Sequence, residues 1–182
     1  MENSSGANCP KRKQREMLHK HIHGQPCGDS AAVVRKVAAY LSEKATCRIV
    51  ALFAALPGEV DLSSLPGVIR RLWVFPKVVG DDLVFHEVRD FPADLEKGAY
   101  GIMEPRDGLR EVGIGEVDVF LCPGLGFDLQ GGRIGRGKGF YDRMLARVRP
   151  DALKVGVCFS HQLVDEIVMD AHDVRMDVVI AG

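Results

Sequence analysis

A chain of 182 residues is long enough to bury one hydrophobic core and too short for two full-sized domains. Hydrophobic residues make up 46% of it and charged residues 27%, and no apolar run approaches the roughly 20 residues of a membrane-spanning helix, so disordered and membrane-spanning proteins are excluded. The basic residues near the start are not followed by an apolar stretch, so we expect no secretory signal and a cytoplasmic location.

The net charge of −1 conceals two cationic segments. Residues 11–20 hold five lysines and arginines against one acid, and residues 133–149 hold six against one. Local clusters on a nearly neutral chain favour a local anionic ligand over the broad basic surface of a nucleic-acid-binding protein. We therefore predict a small phosphate-bearing ligand first and RNA second.

The N-terminal part of the chain predicts two helices. Pro10 suits the first helical position and a glycine stands at the far end, so we expect a helix over 10–23. In the segment 31–44, apolar residues recur three and four positions apart, as they do on one face of a helix. Asp29 or Ser30 would cap this second helix.

The rest of the chain alternates between strands and helices. The continuous apolar run 47–56, ended by Pro57 and Gly58, is typical of a strand buried on both faces. The elements predicted after it are a helix over 63–71, strands over 72–79, 83–88 and 117–123, a helix over 139–148, a strand over 153–159 and a helix over 161–169. This order predicts a layered α/β fold, with a largely parallel central sheet flanked by helices. We expect a single domain over 1–182, with residues 1–9 disordered.

A glycine-rich segment, PGLGFDLQGGRIGRGKGFYDRML at 123–145, lies between a predicted strand and a predicted helix. Gly132, Gly137 and Lys138 match the first seven positions of a phosphate-binding P-loop. Gly139, however, stands where that motif requires a Ser or Thr hydroxyl for magnesium. The glycines still allow backbone amides to approach an anion closely. Because ligands of open α/β sheets bind at the carboxyl ends of strands, this segment is the predicted phosphate site.

Charged side chains complete the chemistry that a phosphate site needs. Arg136 and Lys138 alternate with the glycines and supply positive charge, and the N-terminus of the following helix adds its dipole. Asp142, one turn into that helix, could supply the magnesium ligand that the missing hydroxyl cannot.

The segment 123–145 resembles the nucleotide-binding signature of the 5-formyltetrahydrofolate cyclo-ligase family, whose members are also called methenyltetrahydrofolate synthetases. KRKQR at 11–15 resembles the family's basic N-terminal helix, and LPGEVDL at 56–62 resembles its folate-contact turn. GAYGIMEP at 98–105 resembles the family's Gly-Ile-x-Glu-Pro segment, and HDVRMD at 172–177 resembles its acidic C-terminal motif. These motifs follow the family's order over nearly the whole chain.

The resemblance implies an enzyme that uses ATP as co-substrate and Mg²⁺ as cofactor to convert 5-formyltetrahydrofolate to 5,10-methenyltetrahydrofolate. In that scheme the formyl oxygen attacks the γ-phosphate, and N10 then closes the five-membered ring as phosphate leaves. The expected partners are small molecules, reduced folate and ATP, with no nucleic acid and no membrane. We expect the protein to be a monomer.

The resemblance also implies residue roles at the nucleotide. Because phosphoryl transfer depends on positioning and charge neutralisation, Arg136 and Lys138 are the expected catalytic residues. Lys11 and Arg15 lie four positions apart, on one helix face, as a shared phosphate requires. The expected ATP-binding residues are Lys11, Arg12, Lys13, Gln14, Arg15, Ile134, Gly135, Arg136, Gly137, Lys138, Gly139, Phe140 and Tyr141.

Metal and folate positions follow from the same motifs. Asp142 and Asp173 match the family's metal positions, with Asp177 as the alternative to Asp173. The expected folate-binding residues are Leu56, Glu59, Asp61, Tyr100 and Phe140. The carboxylates of Glu59 and Asp61 would accept hydrogen bonds from N–H donors of the pterin, although either acid could instead cap the next helix.

This chain departs from the family pattern at two positions. Phe140 stands where many relatives have tyrosine, which preserves stacking but removes a hydroxyl that could bind substrate. Leu62 replaces a threonine that often follows the folate-contact turn. Activity on reduced folate remains the expectation.

Two other functions compete with this interpretation. The first is a paralogue that keeps the nucleotide site but acts on another small molecule, against which the intact Glu59, Asp61 and Gly101-Ile102-x-Glu104 count. The second is a non-enzymatic RNA-binding module that uses the two cationic segments. Such a module would bind RNA with a steep salt dependence and would not turn over ATP.

Overall fold

The computed structural model describes residues 9–23, 28–98 and 101–182. The expected disorder of 1–9 falls, apart from Cys9, outside the described residues, as does the predicted folate residue Tyr100. Within the described ranges, no helix is both long and apolar enough to cross a membrane.

Four α-helices and eleven strands make up the described structure. The helices are α1 (Pro10–His23), α2 (Ser30–Glu43), α3 (Leu65–Val68) and α4 (Phe140–Leu145). The first seven strands are β1 (Ile49–Ala51), β2 (Leu72–Val79), β3 (Asp82–Glu87), β4 (Leu95–Lys97), β5 (Met103–Pro105), β6 (Glu111–Val112) and β7 (Val119–Cys122). The remaining strands are β8 (Gly126–Phe127), β9 (Arg133–Ile134), β10 (Leu153–Cys158) and β11 (Val178–Ala181).

The predicted α/β fold with a largely parallel central sheet is confirmed. Seven strands form one sheet in the order β11-β10-β7-β1-β2-β3-β6. The strands from β11 to β2 are parallel, whereas β3 and β6 are antiparallel to their neighbours. Two small hairpins, β4–β5 and β8–β9, lie outside this sheet. Strand β1 is central, which explains why its sequence is apolar on both faces.

Local sequence signals located the two N-terminal helices. Helix α1 spans the predicted residues, and α2 begins as expected because the Asp29 side chain accepts a hydrogen bond from the Ala31 N–H at 2.9 Å. Val33, Val37 and Leu41 of α2 are fully buried against one face of the sheet. Burying this apolar stripe contributes most of the stability of the helix.

The predicted helix over 161–169 is wrong. Only a single 3₁₀ turn, Ser160–Gln162, forms there. Beyond it, backbone N–H groups bind distant partners: Val164 donates to the Phe127 carbonyl and Ile167 to the Asp128 carboxylate, at 2.9 and 2.8 Å. Helical hydrogen bonds would compete for the same donors, so tertiary contacts decide the local structure. Strand β11, which pairs with β10 along four residues, was not among the predicted elements.

Candidate functional site

A cavity of about 420 Å³ opens at the carboxyl ends of the central parallel strands. Phe53 and Ala54 enter its wall just after β1, and Pro123 and Gly124 follow β7 directly. This position is the one that open α/β sheets offer to ligands, because connecting loops diverge there. The cavity has a cationic, glycine-lined end and an apolar end.

The loop between β9 and α4 forms the cationic end. Gly137 and Gly139 have positive φ angles of 95° and 72°, a conformation that glycine adopts without steric cost. The Arg15 guanidinium packs beside Gly137 and donates from Nε to the Gly135 carbonyl at 3.0 Å. Helix α1 and the glycine loop thus form one wall, as the predicted pairing of these motifs requires.

Lys11, in the first turn of α1, is buried against two acids of the C-terminal segment. Its ammonium forms an ion pair with Asp173 and a second with Asp170 at 3.2 Å. Burial raises the pKa of Asp173, but the hydrogen bonds from Lys11 and from the Asp170 backbone outweigh it and leave that pKa below its ordinary value. Asp173 is therefore held as a carboxylate at the cavity wall.

Asp142, the other predicted metal ligand, lies on the first turn of α4. Its Oδ1 accepts a hydrogen bond from Arg133 Nη2 at 2.7 Å. The Arg133 guanidinium is buried, donates to the Pro123 carbonyl at 3.1 Å and lies 5.3 Å from the ring centroid of Tyr141. Burial raises the pKa of Tyr141 well above its ordinary value, so its hydroxyl stays protonated. Arg133 thus lies at the site, although the sequence indicated it only as one of the cations in the segment 133–149.

The carboxylates present fit a hard dication. Asp142 and Asp173 both line the cavity, and one oxygen of each has no hydrogen-bond partner among the described residues. Asp170 and His172 also approach Asp173, with ligand atoms of the three within 4.8 Å of one another. Carboxylate oxygens are the donors that Mg²⁺ prefers. The alternative residue, Asp177, instead pairs with Lys154 at 2.9 Å and does not line the cavity.

Glu59 and Arg136 both line the cavity and pair with each other. Arg136 Nε donates to Glu59 Oε1 at 2.9 Å, and the Leu56 N–H donates to the other oxygen at 3.0 Å. Only 6% of the Glu59 side chain is exposed. Burial raises the pKa of Glu59 above its ordinary value, and the bonds from Leu56 and Arg136 oppose that rise only in part.

The other end of the cavity is apolar. The apolar side chains come from β2, β3, α4, the segment after β1 and the β4–β5 hairpin. They are Phe53, Leu56, Pro76, Val78, Leu83, Ile102, Met103 and Phe140. One buried acid, Glu104 of β5, stands among them. These apolar walls suit a flat heterocycle.

Several predicted site residues lie away from these walls. Asp61 is exposed and accepts a hydrogen bond from the Ser63 N–H at 2.8 Å, a local turn contact; it does not cap α3, whose N-cap residue is Ser64. Gln14 joins α1 to the C-terminal segment through Glu166 and Val168. Three more predicted ATP-binding residues also lie outside the cavity. Arg12 and Lys13 are exposed on α1, and Ile134 is fully buried beneath that helix.

The fold and the cavity define an α/β protein with a cationic, glycine-rich loop at the carboxyl ends of its parallel strands. Residues 8–182 match the model of the 5-formyltetrahydrofolate cyclo-ligase family, and the chain belongs to that family. The resemblance stated from the motifs is thereby confirmed.

Individual relatives agree with the family match. The chain is 41% identical over 90 residues to a 5-formyltetrahydrofolate cyclo-ligase of Mycolicibacterium smegmatis, covering 49% of this chain and 46% of that protein. It is 28% identical over 151 residues to the cyclo-ligase of Mycoplasma pneumoniae, covering 80% of each. The alignments with the first curated relatives span about half of their length. A solved structure, the 5,10-methenyltetrahydrofolate synthetase of Aquifex aeolicus, superposes with a TM-score of 0.78 at 39% identity, covering 94% of this chain and 89% of that one.

Proposed function

We propose that this protein converts 5-formyltetrahydrofolate to 5,10-methenyltetrahydrofolate with ATP, releasing ADP and phosphate. The observation that carries the proposal is one continuous cavity, lined by Arg136 and Lys138 at one end and by apolar side chains at the other. A phosphate donor and a flat, mostly apolar acceptor would meet at the Glu59–Arg136 pair, where their reacting atoms need to be close.

In the proposed reaction the formyl oxygen attacks the γ-phosphorus of ATP and ADP leaves. N10 then attacks the activated formyl carbon and loses its proton, and phosphate departs with the former formyl oxygen as the ring closes. The enzyme has to bring the two substrates together and neutralise the charge on the transferred group. Arg136, Lys138, Lys11 and Arg15 line the cavity where that charge would develop.

Magnesium would be held by Asp142 and Asp173, and when bound it neutralises phosphate charge and polarises the phosphoryl oxygens. Arg133 positions Asp142, and Lys11 positions Asp173, so each carboxylate keeps one oxygen for other contacts. Phe140 and the other apolar walls would exclude water, which otherwise competes with the formyl oxygen for the γ-phosphate.

The internal contacts of the cationic segments favour a small ligand over RNA. Lys11 and Arg133 are buried, and Arg149 pairs with Asp118 and Asp151. Arg143 donates to the Asp81 carbonyl from two nitrogens. These cations are occupied within the fold, so they do not form the continuous exposed surface that a nucleic-acid backbone needs.

The test is the absorbance of the methenyl product when purified protein meets 5-formyltetrahydrofolate, ATP and Mg²⁺, with each omitted in turn. We expect the product band to grow only in the complete mixture, with one ADP formed per methenyl group. Arg136→Met should slow growth of the band roughly 100-fold or more, whereas the matched control Arg147→Met, at an exposed pair with Asp82, should not slow it. ATP binding without product would move the assignment to a paralogue with another acceptor, and salt-sensitive RNA binding without turnover would move it to an RNA module.

A further inference from the structure

The apolar end of the cavity contains an acid that no described residue satisfies. Glu104 lines the cavity from β5, and only 5% of it is exposed. Its Oε1 is buried and has no hydrogen-bond partner among the described residues. Buried carboxylate oxygens are ordinarily paired, because leaving one unpaired forfeits its hydration with nothing in exchange.

The β4–β5 hairpin holds this carboxylate in place. The Gly98 N–H donates to the Ile102 carbonyl at 2.8 Å, and a Cβ on Gly98 would overlap the Oε2 atom of Glu104. Glycine at 98 therefore makes room for the acid against the hairpin backbone. The nearby ammonium of Lys77 is committed elsewhere, to the Pro105 carbonyl at 3.1 Å and to Asp107 at 2.6 Å.

The second buried acid of the cavity is already satisfied. Both oxygens of Glu59 accept hydrogen bonds, one from Arg136 and one from the Leu56 N–H. Asp61, the other acid expected to receive ligand N–H groups, is exposed to solvent and accepts from the Ser63 N–H. Glu104 is thus the buried carboxylate at the apolar end of the cavity that has an unpaired oxygen.

We propose that Glu104 is the specificity-determining acceptor for the amino-substituted heterocycle of the substrate, binding the exocyclic amino group and the adjacent ring N–H of the pterin. The assignment rests on the proposed function. A cis amino and ring N–H pair presents two parallel donors, which a carboxylate can accept together. A site built around such an acceptor rejects analogues without the donors, because the buried oxygen then stays unpaired.

The first test compares Glu104→Gln with Glu96→Gln, its cross-strand neighbour in the same hairpin, whose side chain is 45% exposed. For Glu104→Gln we expect the KM for 5-formyltetrahydrofolate to rise roughly 10- to 100-fold, as loss of a charged hydrogen bond predicts, while the KM for ATP changes less than about twofold. Glu96→Gln should leave both constants unchanged. If Glu104 had only a structural role, Glu104→Gln would lower the melting temperature and leave the KM for folate unchanged. A KM for folate in Glu104→Gln within about twofold of that of the parent protein would overturn the proposal.

A second test needs no variant and no turnover. Titration calorimetry of the unmodified protein compares 2-aminopteridin-4-one with the same ring lacking the 2-amino group. We expect the amino compound to bind at least roughly tenfold tighter. Equal affinities would overturn the role of Glu104 even if the protein forms methenyl product. A preference for the amino compound without any turnover would instead keep this role and refute the proposed reaction.

Discussion

Arg136 and Glu59, which are 77 positions apart in sequence, form an ion pair with 2.9 Å between Nε and Oε1. The pair joins the glycine-rich loop to the turn that follows β1. Arg136 also donates to the Pro57 carbonyl at 3.1 Å, so its guanidinium is held at two points. The cation that would meet the phosphate is thereby positioned by the turn that borders the apolar end of the cavity.

Replacing this arginine should damage both stability and turnover. Arg136→Met leaves the buried Glu59 carboxylate without its cation, and we expect a loss of about 1–3 kcal/mol in the free energy of unfolding, because the arginine itself is partly exposed. Turnover should fall roughly 100-fold or more. Urea unfolding and steady-state kinetics measure the two effects. Arg147→Met, which breaks an exposed ion pair, should cost less than about 1 kcal/mol, and equal losses in both variants would contradict the prediction.

Glu59 should make stability depend on pH. Its pKa in the folded protein lies above the ordinary 4.5, so the folded state binds its proton more tightly than the unfolded state does. The stabilisation from that proton is fully present below pH 4.5 and is lost as pH rises through the folded-state pKa. Denaturant unfolding from pH 4 upward should show the parent losing stability relative to Glu59→Gln. Parallel curves for the two proteins would be inconsistent with a raised pKa.

Asp142→Asn should weaken turnover through the metal. A neutral amide is a poorer ligand for a hard dication, but its oxygen still accepts from Arg133, so the fold should persist. We expect the concentration of Mg²⁺ that gives half-maximal rate to rise at least roughly tenfold, with partial recovery at high Mg²⁺. Asp151→Asn, at an exposed carboxylate that pairs with Arg149, is the matched control. Full activity of Asp142→Asn at limiting Mg²⁺ would show that Asp142 is not a ligand.

Gly137→Ala should impair nucleotide binding. The φ angle of 95° is strained for any residue with a Cβ, and that atom would lie 3.5 Å from the Arg15 side chain. We expect a cost of about 1–2 kcal/mol and a weaker affinity for ATP, measured by calorimetry. In Gly67→Ala the new Cβ meets nothing within 4 Å, so stability and ATP affinity should hardly change. Unchanged ATP affinity in Gly137→Ala would remove this loop from the nucleotide site.

The elements that the sequence predicted well are those whose signals are local. The Asp29 cap and the apolar stripe of α2 act within a few residues, and so does the alternation of buried and more exposed side chains along β3. The glycine-rich segment 123–145 likewise carries its conformational requirement in its own residues. The family resemblance added the order of the motifs, and hence the expectation that 11–15, 56–62 and 123–145 form one site.

Tertiary structure decided which members of those motifs meet. Within the folate-contact turn, Glu59 lines the cavity and pairs with Arg136 from a distant loop, whereas Asp61 is exposed and accepts from the nearby Ser63 N–H. Residues 161–169 have helix-forming periodicity, but the Asp128 carboxylate takes the Ile167 N–H. Arg133 lies in a cationic segment and Glu104 in a family motif, but their burial at the cavity is a tertiary property that no local pattern reports. Sequence determines which conformations and charges are available locally, whereas desolvation and long-range hydrogen bonds select among them, because both depend on neighbours far away in the chain.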